Sequence, residues 1–272
     1  MLLSLALLHP IANLSWWRWS IHPSTVIGLA ALGAVYVWAC RRLKKSPTDA
    51  QKIFFTSGLL LMFVTLNGPI HDLSDGYLFS AHMVQHLLLT LAVPPLLLAG
   101  TPGWMLRPVL SLRGIKPVAR FFTSAKIAFV TFTVTIAFWH LPIFYNAAMA
   151  HHSLHIFEHL LFMASAVLMW WPLSSQLPEF PRLAYPAQML YSFLLSIAMS
   201  IVAVYIAMAD HVLYPAYSAA PRVLPLSPLE DQLLGALIMW IPGGLFFFVI
   251  ISVVFFRWQQ SGEDSAAAAQ VA

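Results

Sequence analysis

Phe79-Ser-Ala-His82-Met-Val-Gln85-His86-Leu-Leu-Leu-Thr-Leu-Ala-Val-Pro94-Pro95-Leu-Leu-Leu-Ala-Gly100 is an apolar stretch long enough to cross a lipid bilayer, yet its first half carries two histidines and a glutamine. At ~100° per residue, His82 and His86 lie about 40° apart on one helical face, with Gln85 beside them. Because water is absent from the bilayer core, each imidazole there needs a protein or ligand partner. The stretch therefore predicts a membrane-spanning helix that contributes to a functional site.

The composition of the whole chain is that of an integral membrane protein. Of its 272 residues, 60% are hydrophobic and 9% are charged, whereas soluble domains carry ~25% charged residues. The formal net charge of +4 does not indicate nucleic acid, because the basic residues are distributed by side of the membrane and are interpreted as cytoplasmic anchors. The single cysteine, Cys40, excludes an internal disulfide and a paired-thiolate metal site, so any metal must be held by imidazole, thioether or carboxylate groups.

Hydropathy and helix-breaking residues divide the chain into seven predicted spans, which form one all-α domain, a polytopic membrane helical bundle over residues 1–258. Pro94-Pro95 should kink the third span, and Pro242-Gly243-Gly244 should break the seventh. The connection 71–76 is predicted to be a loop, and residues 259–272 a disordered tail. The spans cover about 24–40, 53–68, 77–100, 126–141, 149–171, 187–209 and 232–256.

The basic residues predict how this bundle is oriented. Twelve of the 14 Lys and Arg side chains lie on the side of the odd-numbered connections and the C-terminus, and the other side holds only Arg18 and Arg222. By the positive-inside rule, the N-terminus is outside and the C-terminus is cytoplasmic. All 11 histidines then fall on the outer side or in the outer half of a span. Residues 2–8 are predicted to lie at the outer surface rather than to form a signal peptide, and whether the first ~20 residues are retained stays open.

A second group of histidines opens the fifth predicted span, at His151-His152-Ser-Leu-His155-Ile-Phe-Glu158-His159. His155 and His159 share one helical face, and Glu158 adjoins it. At ~1.5 Å per residue, this face reaches the same depth in the membrane as His86. Two imidazoles on one helical face suit a metal ion, and a nearby carboxylate can orient a ring by a hydrogen bond.

Other polar residues lie at the same outer level. His71 and Asp72 precede the third span, His140 ends the fourth, and Asp231 opens the seventh. Asp231 shares a helical stripe with Gly235, whose small size allows close packing between helices. Alternatively, this acid only stabilises the first turn of its own helix.

A structural role is the alternative for each of these histidines, which can join helices by hydrogen bonds. That is the expected role near a membrane surface, as at His22 and His152, and it stays open for His71 and His140. Four buried imidazoles on two helices would be an unusual way to join them, so the pairs on the third and fifth spans favour a functional site.

Methionines supply a further ligand type on the outer side. Met83, Met149, Met208 and Met239 lie there, and thioether plus imidazole is a ligand set that suits Cu(I). At helical spacing, however, methionine more often fills gaps in packing, so these residues add little to the prediction.

Seven short motifs, taken in order, resemble the CtaG family of bacterial cytochrome c oxidase assembly factors, which are multi-spanning membrane proteins. The resemblance covers most of the chain, from about Pro69 to Trp258. The motifs are Pro69-Ile-His71-Asp72-Leu-Ser-Asp75, Ser80-Ala-His82-Met-Val-Gln85-His86, Pro94-Pro95-Leu-Leu-Leu, Trp139-His140-Leu-Pro142, His155-Ile-Phe-Glu158-His159, Leu226-Ser-Pro-Leu-Glu230-Asp231-Gln232 and Ile238-Met-Trp240-Ile-Pro242-Gly243-Gly244. An unrelated single-span copper chaperone of the same name uses reactive cysteines, which this chain lacks apart from Cys40.

The resemblance implies a role in maturing haem-copper oxidase in a bacterial plasma membrane, with oxidase subunits as partners, and not a metabolic enzyme. Nucleotide-binding, serine-hydrolase and metalloprotease motifs do not occur in the sequence, which agrees with that reading. By residue, the family pattern carries over to His71, His82, His86, His140, His155, Glu158, His159 and Asp231.

Our leading hypothesis is a His-rich pocket in the outer half of the membrane that binds copper transiently while the oxidase is assembled. The expected ligands are His82, His86, His155 and His159, with His140 and His71 as further ligands. The residues expected to orient them are Glu158, Asp231, Gln85 and Asp72. Two alternatives remain: a b-type haem held between facing histidines, and a copper or proton transporter built on the helix breaks.

Overall fold

The computed structural model describes residues 19–271 and the side chains of residues 19–262. The surface segment predicted for residues 2–8 lies outside the described residues. Within residues 19–271 every regular element is a helix, so the predicted all-α fold is confirmed. The elements are α1 (Pro23–Leu43), α2 (Asp49–Asn67), α3 (Pro69–Gly76), α4 (Phe79–Leu87), a π-helical turn (Leu88–Ala92), α5 (Val93–Gly100), α6 (Gly103–Leu110), α7 (Ile115–Phe122), α8 (Ala125–His140), α9 (Pro142–Ala150), α10 (His152–Ser174), α11 (Tyr185–Ala207), α12 (Pro215–Ser218) and α13 (Pro228–Val271).

Six of these helical stretches are long and apolar enough to cross a membrane: α1, α2, α4 with α5, α10, α11 and α13. The predicted fourth span corresponds to α8, which has 16 residues. It counts as a seventh span when it is joined to α7, from which it is bent by 69°. The protein is therefore a polytopic membrane bundle of six or seven spans.

The third span contains a π-helical turn just before its proline pair. Pro94 and Pro95 have no N–H, so they cannot bond to the carbonyls one turn before them. The N–H of Val93 instead reaches the carbonyl of Leu88, five residues back. The carbonyl of Thr90 accepts a hydrogen bond from Nε1 of Trp170 on α10, at 2.9 Å. The irregular turn thus satisfies its backbone groups across the bundle, as an apolar medium requires.

The connection at residues 71–76 is a buried helix, α3, so the prediction of a loop there is wrong. Pro69 occupies the first turn of α3, where its fixed φ favours a helix and its missing N–H is not needed. Leu73 packs in a small cluster with Tyr77 and Leu78 and holds α3 against the bundle. The polar side chains of α3 consequently face the interior of the bundle rather than water.

The last helix is longer and more regular than predicted. It begins at Pro228 and runs through Pro242 to Val271 without interruption. The predicted break at Pro242-Gly243-Gly244 is wrong, because unwinding there would leave backbone groups without partners in an apolar medium. The disordered tail predicted for residues 259–272 has helical backbone to Val271, in keeping with the high helix propensity of the run of alanines at 266–269.

Among the six long spans, α10 is the most deeply buried in the bundle and α1 the least. α11 lies along α13, α8 along α10, and α4 along α13. α1 contacts mainly α2, and of its side chains only Tyr36 and Ala39 are buried. Large apolar side chains such as Ile27 and Trp38 are 68% and 63% exposed and face the surrounding lipid. This peripheral position of α1 leaves space between α1 and α10.

Gly100 lies at a close approach between α5 and α2, and we expect Gly100→Ala to destabilise the protein. A Cβ at this position would collide with the backbone of Phe55 on α2. The hydroxyl of Tyr36 also donates a hydrogen bond to the carbonyl of Gly100, at 3.0 Å. Overpacking against rigid backbone costs about 1–3 kcal/mol, so the unfolding midpoint in detergent should fall. Gly244→Ala is the matched control, because a Cβ there meets no atom within 4 Å; equal midpoints for the two variants would contradict this packing.

Candidate functional site

The predicted site residues come together at one end of the bundle, where α1, α4, α10 and α13 begin; we call it the histidine end. All ten are buried, and the histidines among them come from α3, α4, α8 and α10. They are His71, Asp72, His82, Gln85, His86, His140, His155, Glu158, His159 and Asp231. So many ionisable side chains buried together in an apolar bundle indicate a site rather than a surface feature.

Three of these residues form what we call the α4 group: His82 and His86 on α4, and Glu158 on α10. The two imidazole rings lie 4.0 Å apart, centre to centre. One potential ligand atom from each of the three residues lies within 4.8 Å of the other two. Among the described residues, no side chain or backbone group bonds to either ring nitrogen of His82 or His86, or to Oε1 of Glu158. Buried polar atoms without partners are uncommon in native proteins, and here they converge on one point.

Four further residues form a neighbouring cluster, which we call the Asp75 group: His71, Asp75, His155 and His159. The two Nε2 atoms of His155 and His159 lie 2.8 Å apart, so the N–H of one ring donates a hydrogen bond to the ring nitrogen of the other. Asp75 reaches both sides of the cluster, with Oδ2 3.5 Å from Nε2 of His71 and Oδ1 3.6 Å from Nε2 of His155. The ring of His159 lies 5.4 Å from that of His86, so the Asp75 group adjoins the α4 group.

Gln85 fixes the orientation of His71. Its amide group donates hydrogen bonds to the carbonyl of Thr65 at 3.0 Å and to Nδ1 of His71 at 3.1 Å. Its Oε1 accepts a hydrogen bond from the hydroxyl of Ser74 at 2.8 Å. Because Nδ1 of His71 accepts, the ring proton lies on Nε2, which faces the carboxylate of Asp75. Gln85 thus acts as a supporting residue.

His140 presents one ring nitrogen to the interior of the site. Its Nδ1 donates a hydrogen bond to the carbonyl of Ile136, one turn earlier on α8, at 2.8 Å. This leaves Nε2 with its lone pair, and no described protein group bonds to it. The ring centre lies 5.9 Å from that of His86. The hydroxyl of Tyr214 donates a hydrogen bond to the backbone carbonyl of His140, at 2.8 Å, and anchors the end of α8.

Asp231 acts on the start of α4 and not on an imidazole. Its carboxylate accepts hydrogen bonds from the N–H of Phe79 at 2.7 Å, the N–H of Ser80 at 3.3 Å and the hydroxyl of Ser80 at 2.5 Å. It therefore caps a neighbouring helix from α13. Gly235, one turn further along α13, lies so close to Phe79 that any side chain there would collide with its ring. Asp231 and Gly235 together fix the position of the helix that carries His82.

Asp72 lies at the edge of the site. Its Oδ2 accepts a hydrogen bond from the hydroxyl of Ser20, at 2.9 Å. This bond ties the chain before α1 to α3. The contact supports the architecture around the histidines and gives Asp72 no described bond to a predicted ligand.

A cavity of about 270 Å³ leads from the gap between α1 and α10 to the Asp75 group. His22, before α1, and His152, at the start of α10, also line it, together with aliphatic side chains and two methionines. Partial burial, and secondarily the neighbouring His71, lowers the pKa of His22. Its imidazole is therefore largely neutral at neutral pH. The cavity offers a path by which a small ligand can reach the buried histidines.

The chain was compared with models of known protein families. The model described as cytochrome c oxidase caa3 assembly factor (Caa3_CtaG) matches residues 34–261. The chain belongs to the Caa3_CtaG family. No curated protein and no solved structure shows significant similarity to the chain. The matched region contains every residue of the α4 group and the Asp75 group, so the buried cluster lies within the part that defines this Caa3_CtaG protein.

Sequence reasoning missed Asp75 as a site residue of the Caa3_CtaG chain. Its signal was the four-residue spacing between His71 and Asp75, which places both on one face of a helix. This spacing was not recognised because Pro69 and Gly76 flank the segment, and such flanking residues are typical of a loop.

A pair of tyrosines also escaped the sequence analysis of the Caa3_CtaG chain. Tyr145 and Tyr217 lie with their hydroxyl oxygens 2.8 Å apart, and Tyr217 donates to the carbonyl of Ser74 at 2.8 Å. Burial raises the pKa of Tyr217 well above its usual value, so the phenol stays protonated and remains a donor. Tyr217 lies on α12, far from α3 in sequence, and no local pattern connects the two.

Proposed function

We propose that this Caa3_CtaG protein supports the assembly of cytochrome c oxidase by holding copper in its histidine cluster and passing it to an oxidase subunit. One observation carries the proposal: the buried imidazoles of His82 and His86 and the carboxylate of Glu158 converge, with ring nitrogens and an oxygen that bond to no described protein group. Two imidazoles and a carboxylate are a common ligand set for transition metals.

The donor atoms favour copper over harder ions. Imidazole nitrogen suits copper, whereas magnesium and calcium prefer sites built from oxygen ligands. The single carboxylate offsets part of the charge of a metal ion, which matters in a buried site of low dielectric constant. Neither group contains a thiolate, whose tight binding of soft metals would hinder release. Copper is thus a cargo that the protein binds and gives up.

The direction of transfer follows from the topology. By the positive-inside rule, the distribution of the basic residues supports an orientation with the histidine end at the outer face of a bacterial plasma membrane. The cavity between α1 and α10 reaches the Asp75 group from that end. Copper would therefore arrive from outside the cytoplasm, pass the Asp75 group and reach the α4 group. In this scheme the protein is a carrier for metal and not an enzyme, and its partners are oxidase subunits and membrane lipid.

Haem binding and transport are the competing functions. A haem bound by His86 would need a slot between helices beside that residue, but the cavity that His86 lines has a volume of about 10 Å³, whereas pockets for ligands of drug size measure ~300 Å³ or more. Regular helix through Pro242 also removes one of the breaks that suggested a transporter. Both observations favour the binding of a small ion over haem binding at His86 and over transport.

A cellular experiment tests the proposed function. In a bacterium that lacks its own copy of the chain, the wild-type protein should restore an oxidase that contains both haem and copper. Glu158→Gln keeps the shape of the side chain but removes the carboxylate that would bind the metal, so the copper-to-haem ratio of the purified oxidase should fall about tenfold or more.

Glu230→Gln, at an exposed acid on α13, is the control and should behave like the wild type. The proposal is contradicted if Glu158→Gln restores an oxidase with a normal copper-to-haem ratio, or if the oxidase made without the chain lacks haem but retains its copper.

A further inference from the structure

A second, smaller cavity adjoins the α4 group where α4, α8, α10, α11 and α13 meet. Its volume is about 10 Å³, roughly the space that one water-sized particle needs. The imidazoles of His86 and His140 line it. So do three methionines, one each from α4, α11 and α13: Met83, Met199 and Met239.

The donor atoms around this cavity are soft and neutral. No described protein group bonds to Nε2 of His140 or to either ring nitrogen of His86. The hydrogen bond from Nδ1 of His140 to the carbonyl of Ile136 fixes Nε2 as a lone-pair donor. Thr90, the hydroxyl residue in the lining, already donates to the carbonyl of His86 at 2.6 Å. The lining therefore offers imidazole nitrogen and thioether sulfur, and no carboxylate.

Packing is the alternative role for these methionines, since methionine commonly fills irregular gaps in a core. Two observations weigh against it as the full account. Three methionines, each from a separate helix, line this cavity together with two imidazoles. Met169 is equally buried in the same core, yet it does not line this cavity. A gap filled only for packing would not need imidazole nitrogens at its wall.

We infer that this cavity is a binding position for Cu(I), distinct from the α4 group but sharing His86 with it. Thioether with imidazole is the ligand set that selects Cu(I). A monovalent ion also suits a wall without carboxylates, because burying a divalent charge with neutral ligands in an apolar bundle is less favourable. The inference rests on the proposed function and identifies the oxidation state of its cargo. Cu(I) can move between the two positions by exchanging ligands around His86, with no change of oxidation state.

The experiment is copper-edge X-ray absorption on the full-length protein, purified in detergent and loaded with Cu(I) under reducing, oxygen-free conditions. The wild type should show sulfur neighbours at ~2.3 Å, a typical metal–sulfur distance. In Met83→Leu/Met199→Leu/Met239→Leu, which conserves volume, the sulfur signal should vanish. The affinity for Cu(I), measured against a competing chelator, should fall about tenfold or more. Met149→Leu/Met169→Leu is the control, since both residues are buried but line neither this cavity nor the larger one.

The outcomes separate this inference from the proposed function. If the wild type binds Cu(I) with nitrogen and oxygen neighbours alone, the thioether position is refuted while copper handling stands. If the wild type binds no copper in either oxidation state, both fail. A wild-type spectrum without sulfur neighbours refutes the thioether position even where the triple variant does not fold.

Discussion

Replacing His82 and His86 together by leucine should abolish copper retention and leave the metal-free protein at least as stable as the wild type. Neither ring has a described hydrogen-bond partner on either nitrogen, so leucine removes no protein contact of that kind. It also relieves the penalty of burying imidazole nitrogens without partners, which is about 1–3 kcal/mol for each polar group left unsatisfied. Side chains that reduce the stability of the folded protein, yet are present in it, are typical of functional sites.

Two measurements on the purified His82→Leu/His86→Leu protein check this expectation: bound copper per chain and the unfolding midpoint of the metal-free form in detergent. His211→Leu is the control, because His211 is exposed and belongs to neither group. A sharp fall in the midpoint of the double variant, with copper retained, would mean that the two rings hold helices together rather than bind metal.

Asp231→Ala should be the most destabilising single substitution at the histidine end. The carboxylate accepts three hydrogen bonds from Phe79 and Ser80 at the start of α4. Its removal leaves two buried backbone N–H groups without an acceptor and opens a gap between α13 and α4. The expected loss is about 3 kcal/mol or more, which lowers the unfolding midpoint by roughly 6–12 °C for a chain of this size.

Glu230→Ala provides the matched control for Asp231→Ala. Glu230 is the preceding residue and an acid in the same first turn, but it is exposed and bonds only to the backbone of Ser227 within that turn. Loss of such a cap costs about 1 kcal/mol. Equal shifts in the two variants would mean that Asp231 stabilises only its own helix, contrary to the interhelical cap.

The membrane-spanning helices could be predicted from the sequence because each depends on the residues of one continuous stretch. A run such as 79–100 is apolar over the thickness of a bilayer, and the 3.6-residue repeat places His82 and His86 on one face. The depth of each histidine in the membrane was predictable as well, since each residue advances ~1.5 Å along a helix. The structure brings His86 and His159 to within 5.4 Å, ring centre to ring centre, as matching depths on neighbouring helices would require.

The parts that were missed depend on tertiary contacts. The segment of α3 is polar and bracketed by Pro69 and Gly76, and only its packing against the bundle makes it a buried helix. From the sequence, Asp231 could either belong to the site or stabilise the first turn of its own helix. In the structure its carboxylate caps α4, because α13 packs against α4. The contact between Tyr217 and Ser74 joins residues far apart in the chain, for which neither periodicity nor spacing gives a signal.

The central claim, that the buried histidine cluster binds copper, is tested most directly by the metal content and absorption spectrum of the wild-type protein purified from membranes. We predict at least one copper ion per chain after copper is supplied, and no haem absorption band. A protein that contains neither copper nor haem after copper has been supplied in both oxidation states would contradict the account, and so would a protein that contains haem in place of copper.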